Sequence, residues 1–161
     1  MQAIEQIFAP WQSLYSDSAF LSITVTALHL IGMLVGGGLA LAADRATLRI
    51  SQQQPGERDH HLGELNAIHR PVLIALTVLF ITGIAMVAAD VATFLVSPVL
   101  WAKLTLVALL VVNGVVLERT ETALRRGDGS SSWERLRLAA FCSIGLWIAT
   151  LVAGVVLLNA A

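Results

Sequence analysis

The chain has 161 residues, of which 57% are apolar and only 13% are charged, and its formal net charge is −1. This composition excludes an ordinary soluble domain, and no basic and aromatic pattern indicates nucleic-acid binding. A single cysteine, Cys142, excludes a disulfide or a multi-thiolate metal site within one chain. The sequence therefore indicates an integral membrane protein.

Four apolar runs are each long enough to cross roughly 30 Å of hydrocarbon as a helix. They cover about residues 19–43, 71–89, 99–117 and 138–158. Because the loops between them are short, consecutive spans are expected to run antiparallel. The pattern predicts an all-α, up-down four-helix transmembrane bundle, with residues 1–161 forming a single domain.

The segment before the first span predicts a short helix lying in the membrane interface, despite Pro10. Its apolar residues recur at roughly helical spacing, at Ile4, Ile7, Phe8, Trp11, Leu14 and Tyr15. A cleavable signal peptide is not expected, because this segment carries Glu5 and no basic stretch.

The arginines predict the orientation of the bundle. Two loops hold all nine of them, namely Arg45, Arg49, Arg58 and Arg70 after the first span, and Arg119, Arg125, Arg126, Arg135 and Arg137 after the third. Basic residues concentrate in cytoplasmic loops, so both chain termini are expected on the outer side. The hypothesis is a multi-pass protein of a bacterial inner (cytoplasmic) membrane.

His29 lies deep in the first span, about 15 Å along the helix from residue 19. A neutral imidazole can ligate iron or copper, relay a proton or bond a neighbouring helix. Gly32 and Gly36 follow it on the same helical face. Such glycines serve either close helix packing or space for a flat ligand such as a porphyrin, and both interpretations stay open.

The other histidines are predicted farther from the membrane centre. His60 and His61 fall in a polar loop, residues 51–63, where solvation is the expected state and a cytoplasmic metal ion the alternative. His69 stands at the start of the second span, nearly a helix length from His29, so that a haem shared by the two would be strained. Asp44, Asp90 and Glu118 are interpreted as markers of helix ends.

Lys103 is the only lysine, and it lies inside the apolar run of the third span. A cation there is costly and usually faces a bundle interior, a polar cavity or a partner. The alternative is that its ammonium group snorkels to the outer headgroups. Trp101 already provides an interfacial anchor, and Asn113 continues a sparse polar stripe, so an inward Lys103 could flank a cavity with His29.

Two segments carry a resemblance to a known family. Ala27-Leu-His-Leu-Ile-Gly-Met-Leu-Val-Gly-Gly-Gly38 and Leu100-Trp-Ala-Lys-Leu-Thr-Leu-Val107 resemble the four-helix protoporphyrinogen oxidases of the HemJ type. The resemblance implies that His29 and Lys103 correspond to that family's essential pair, associated with haem b. Arg45 or Arg49 would be the counterpart of an arginine after the first span.

The chain departs from this pattern before the second span, where Asn66-Ala-Ile-His-Arg-Pro71 replaces a basic stretch of the family. The opening of the third span and Thr82-Gly83 are also similar to the membrane domain of copper resistance protein D.

Three classes of function follow. The first is a haem b-binding redox protein, in which His29 ligates the iron, Gly32 and Gly36 adjoin the macrocycle, and Arg45 contributes to the cofactor site. Lys103 would be a second ligand, a propionate contact or a catalytic group acting on a tetrapyrrole or quinol. His69 is the alternative metal ligand.

The second class is a copper-handling membrane protein, although Met33 and Met86 with His29 offer few soft ligands. The third is a non-catalytic small subunit of a larger membrane complex, and a homo-oligomer is a further alternative.

Overall fold

The computed structural model describes residues 2–50, 55–126 and 130–160, and every element in this part of the chain is helical. The helices are α1 (Gln2–Asp17), α2 (Ala19–Ile50), α3 (Pro55–Ala89), α4 (Val91–Val96), α5 (Pro98–Arg125) and α6 (Ser130–Ala160). Four of them contain segments that are long and apolar enough to cross a membrane, namely Ala19–Arg49, His61–Ala89, Pro98–Arg125 and Ser132–Leu157. The prediction of four such helices is confirmed.

Three helix starts have recognisable chemical causes. The Ser18 hydroxyl accepts the backbone N–H of Leu21 at 3.3 Å, which caps α2. Asp90 caps the short α4 through the backbone N–H of Thr93 at 3.2 Å, so its predicted position at a helix end is correct. At α5, Ser97 occupies the cap position and a proline opens the first turn.

The helices continue well past the apolar runs, and this corrects three predicted boundaries. Pro71, placed at the start of the second span, lies inside α3, which already begins at Pro55. Asp44 lies inside α2 rather than at its end, and Glu118 lies inside α5. Hydropathy marks where the lipid-facing composition stops, whereas a helix continues through polar residues until a breaker or a cap ends it.

Helix α2 packs against α3 and α6, and α5 packs against α6. Within the described part of the chain, α5 meets α3 in few places and α2 in fewer. The contacts join residues in opposite chain order, since Lys103 lies against Gly154 while Asn113 Nδ2 donates to the Ala139 carbonyl at 3.0 Å. Neighbouring long helices therefore run antiparallel where these contacts occur.

Large apolar side chains cover the outside of the packed helices, and both apolar and polar side chains are buried between them. Large apolar residues are widely exposed, including Phe20, Leu34 and Phe141. Among the described residues, several polar side chains are buried, namely Asp44, Thr47, His61, Thr82, Ser132, Ser143 and Thr150. Such an arrangement is typical of a protein surrounded by lipid, and it places any polar chemistry between the helices.

Helix α1 forms through Pro10 and packs mainly against α3. The indole Nε1 of Trp11 donates to the Ala85 carbonyl at 2.9 Å. This bond attaches α1 near the end of α3 that also holds Thr82. The chain thus adds a helical segment close to one end of the four long helices.

Candidate functional site

His29 is held by a hydroxyl on the neighbouring helix. Its Nδ1 lies 2.9 Å from Oγ1 of Thr82, which is itself buried. The single hydroxyl proton of Thr82 is directed to the Val78 carbonyl at 2.6 Å, so the oxygen accepts a hydrogen bond from Nδ1–H. A neutral His29 therefore carries its proton on Nδ1 and presents a lone pair on Nε2.

Gly83 leaves space for this imidazole. A Cβ atom placed on Gly83 would lie 3.6 Å from Cε1 of His29, which is ordinary van der Waals contact. Larger side chains at this position would crowd the ring and disturb its bond to Thr82. The Thr82-Gly83 pair thus both orients the histidine and accommodates it.

Lys103 is half-buried and turned towards α6. Its Nζ lies 3.3 Å from the position that a Cβ atom on Gly154 would occupy. Gly154 continues the buried stripe of Trp147 and Thr150 at helical spacing, so the ammonium group lies against the packed face of α6. It makes no ion pair with any residue in the described ranges.

The glycine face of α2 is occupied by helix packing. A Cβ atom on Gly36 would lie 2.9 Å from Cβ of Ala75, and one on Gly32 would lie 3.2 Å from Cγ of Leu79. Gly37 packs on Trp147 in the same way. Of the two interpretations of these glycines, close packing is the one that the contacts support.

Arg45 and His69 lie away from His29. Arg45 is exposed and stands 16 residues along α2, a distance of about 24 Å. His69 Nε2 is 3.7 Å from Oε2 of Glu118 on α5, and His69 is about 20 Å along α3 from Thr82. The structure does not bring either residue to the imidazole of His29.

A second polar cluster, which the sequence analysis missed, lies farther along α2. His61 is only 2% exposed, and its Nε2 lies 3.0 Å from Oγ1 of Thr47. The expectation of a solvated His61 in a loop is wrong, because α3 already includes this residue and packs it on α2. One turn before Thr47, the buried Asp44 is hydrogen-bonded by Ser143 of α6.

One sequence signal could have identified this cluster. Asp44 and Thr47 are three residues apart and continue the helical face of Gly36 and Gly37, so both were predictable as inward-facing. Thr82 stood out only in the Thr82-Gly83 resemblance, which assigned it no role, and a lone threonine such as Thr150 in an apolar helix is too common to be a signal.

The described residues contain no group of three or more histidine, cysteine, aspartate or glutamate side chains placed to hold a metal ion. Of the residues around the predicted cytoplasmic metal site, the side chains of Arg58, Asp59 and His60 lie outside the described residues. Cys142 is exposed on the outer surface of α6 and is not a core packing residue.

An apolar groove of about 540 Å³ lies between α5 and α6, lined by residues such as Val99, Ala102, Ala149 and Ala153. Neither Lys103 nor His29 is among the residues that line it. No protein-family model, curated protein or solved structure matches the chain. The site is therefore interpreted from its own geometry.

Proposed function

We propose that the chain is a haem b-binding redox protein of the membrane, with His29 as an iron ligand. The observation that carries this proposal is the bond between His29 Nδ1 and Thr82 Oγ1. Metal-ligating histidines usually donate their second ring N–H to an oxygen acceptor, which fixes the ring and directs the other nitrogen at the metal. Thr82 supplies such an acceptor, and Nε2 of His29 is a suitable donor atom for haem iron.

The surroundings of His29 suit a haem at Nε2, the nitrogen that would bind the iron. They leave no space for the macrocycle along the glycine face of α2. Leu79 packs against Gly32 and Ala75 packs against Gly36, so neither glycine is assigned to a contact with the macrocycle. The region between α2, α3 and α5 is the better location, because α5 makes few contacts with α2 and α3.

Lys103 provides the charge that an acidic ligand requires. Its ammonium group is half-buried and has no carboxylate partner among the described residues. A haem propionate, or an acidic group of a tetrapyrrole substrate, would neutralise it inside the bundle. When bound, the haem iron supplies one-electron transfer, and the lysine would orient the acidic group beside it.

For the membrane arrangement we propose an up-down bundle with both termini on the outer side of a bacterial cytoplasmic membrane. The distribution of arginines supports this orientation, since Arg45 and Arg49 lie in the last two turns of α2, and Arg119 and Arg125 in the last two turns of α5. The antiparallel contacts of α2 with α3 and of α5 with α6 support the up-down order.

The visible spectrum of the full chain, purified from haem-replete cells and recorded before and after dithionite, tests the function. We expect a Soret band that shifts on reduction and is lost in His29→Ala. His69→Ala is the matched control, because His69 contacts Glu118 and lies far from His29, and its band is expected to persist. A wild-type protein without a Soret band would contradict the proposal, and stoichiometric copper in that sample would replace it with the copper-handling alternative.

A further inference from the structure

Asp44 is a carboxyl group enclosed among three packed helices. Only 5% of its surface is exposed, and it lies on α2 where that helix meets α3 and α6. The buried Ser143 of α6 interacts with the carboxyl group. The Oδ2 atom is shielded from solvent and has no hydrogen-bond partner among the described residues.

No described cation neutralises this carboxyl group. Arg45 is adjacent in sequence but exposed, and Asp44 forms no ion pair within the described ranges. From α3, the titratable group nearest along this face is His61, which bonds Thr47 and lies 3.9 Å from the Glu64 carboxylate. From α6, the side facing Asp44 presents Ser143, whereas Arg137 and Cys142 are exposed.

A bare carboxylate in such a position is unfavourable. Burying an unpaired charge in a low-dielectric interior is so costly that the group usually neutralises. The shielded Oδ2 is an exception to the rule that buried polar atoms are hydrogen-bonded, and such exceptions call for an explanation. Ionisable residues inside membrane bundles commonly belong to proton or ion pathways, so this one calls for a functional explanation.

We propose that Asp44 is a reversible proton-binding site. The proton adds to Oδ2, forming an O–H bond and converting the carboxylate to a neutral acid, and it returns to water on release. Ser143 bonds the carboxyl group and fixes its orientation. Arg45, the next residue, is exposed, and we place the exchange of the proton with solvent on that side. This site requires no cofactor and is separate from His29, which precedes it by about 22 Å along α2.

Infrared spectroscopy of the full chain in lipid nanodiscs tests the site without any bound haem. We expect a protonated-carboxyl stretching band that disappears reversibly as the pH is raised, and that is lost in Asp44→Asn. Asp17→Asn is the matched control, because Asp17 is exposed at the end of α1, and it should leave the band unchanged.

Ser143→Ala provides a second measurement that does not depend on the folding of Asp44→Asn. Removing the hydroxyl should shift the frequency of the band, because the carboxyl group loses its hydrogen bond. A spectrum without a titrating carboxyl band, or a band unaffected by Ser143→Ala, would overturn the proposal. A band that responds to sodium at constant pH would also overturn it, since the bound species would then be a metal cation.

Discussion

Two histidine–threonine hydrogen bonds join helices α2 and α3, and the histidine lies on a different helix in each. In one pair, His29 of α2 bonds Thr82 of α3 through Nδ1; in the other, His61 of α3 bonds Thr47 of α2 through Nε2. We infer the same arrangement for Thr47, whose hydroxyl lies 3.0 Å from the Ala43 carbonyl and can donate to it while accepting from His61. The two pairs therefore select opposite tautomers.

The surroundings of the two pairs differ as well. His29 is only half-buried and lies within the apolar run of α2. His61 is almost fully buried, one turn from the Asp44 carboxyl group. The comparison teaches that one type of bond serves two purposes, orienting a donor atom for a ligand in the first pair and closing a packed polar cluster in the second.

Gly36 lies between the two pairs, and enlarging it is expected to weaken both. In Gly36→Leu, the new side chain would meet Ala75, whose Cβ already lies 2.9 Å from the position of a Cβ atom on Gly36. We expect the free energy of unfolding to fall by about 3 kcal/mol, measured by denaturation in detergent micelles. Gly38→Leu is the control, because a Cβ atom there meets no heavy atom within 4 Å. Equal losses in the two variants would contradict the packing of α2 on α3.

Thr47→Val removes the hydrogen bond of the buried His61–Thr47 pair and leaves the half-buried His29–Thr82 pair unchanged. It removes the acceptor of the His61 N–H while keeping the side-chain shape, and His61 is only 2% exposed. The free energy of unfolding is expected to fall by about 1–3 kcal/mol, because a buried donor is left without its partner. Haem binding should not change, so a spectrum altered by Thr47→Val would show that the two pairs are coupled.

Thr82→Val should have the smaller effect on stability and the larger effect on ligand binding. Interhelical hydrogen bonds inside membranes contribute about 0.6 kcal/mol on average, and His29 is less buried than His61. Haem affinity, measured by titration of the apo-protein, is expected to fall by roughly 10–100-fold because the imidazole loses its orienting acceptor. A stability loss greater than that of Thr47→Val would reverse the comparison.

Lys103→Met is expected to change stability least. The cation lies half-buried without a described carboxylate partner, so an apolar replacement of similar length removes a desolvated charge. We expect the free energy of unfolding to stay within about 1 kcal/mol of the wild type or to rise. Arg119→Met, at an exposed position on the same helix, is the control. A large loss in Lys103→Met alone would indicate a structural partner for the lysine.

The sequence predicted the four long helices because a membrane requires an apolar run of a set length, and that requirement is visible in composition. The ends of the helices were predicted poorly. Hydropathy shows where an apolar run stops, whereas polar residues such as Asp44 and His61 lie beyond that point and still belong to the helix. His29 was identifiable because it is the only histidine deep in a run.

Its partner Thr82 was not identifiable, because which side chains meet across two helices depends on their rotation and depth. The same limit applies to Lys103, for which the sequence left inward and outward orientations open. The contact with Gly154 depends on the register of α5 against α6.

The nitrogen chemical shifts of ¹⁵N-labelled histidine in the apo-protein, assigned with His29→Ala and His61→Ala, test the account most directly. At a pH where both rings are neutral, we predict that His29 is protonated on Nδ1 and His61 on Nε2. An Nε2–H tautomer at His29 would contradict the account, because that nitrogen would then have no lone pair to offer a metal ion.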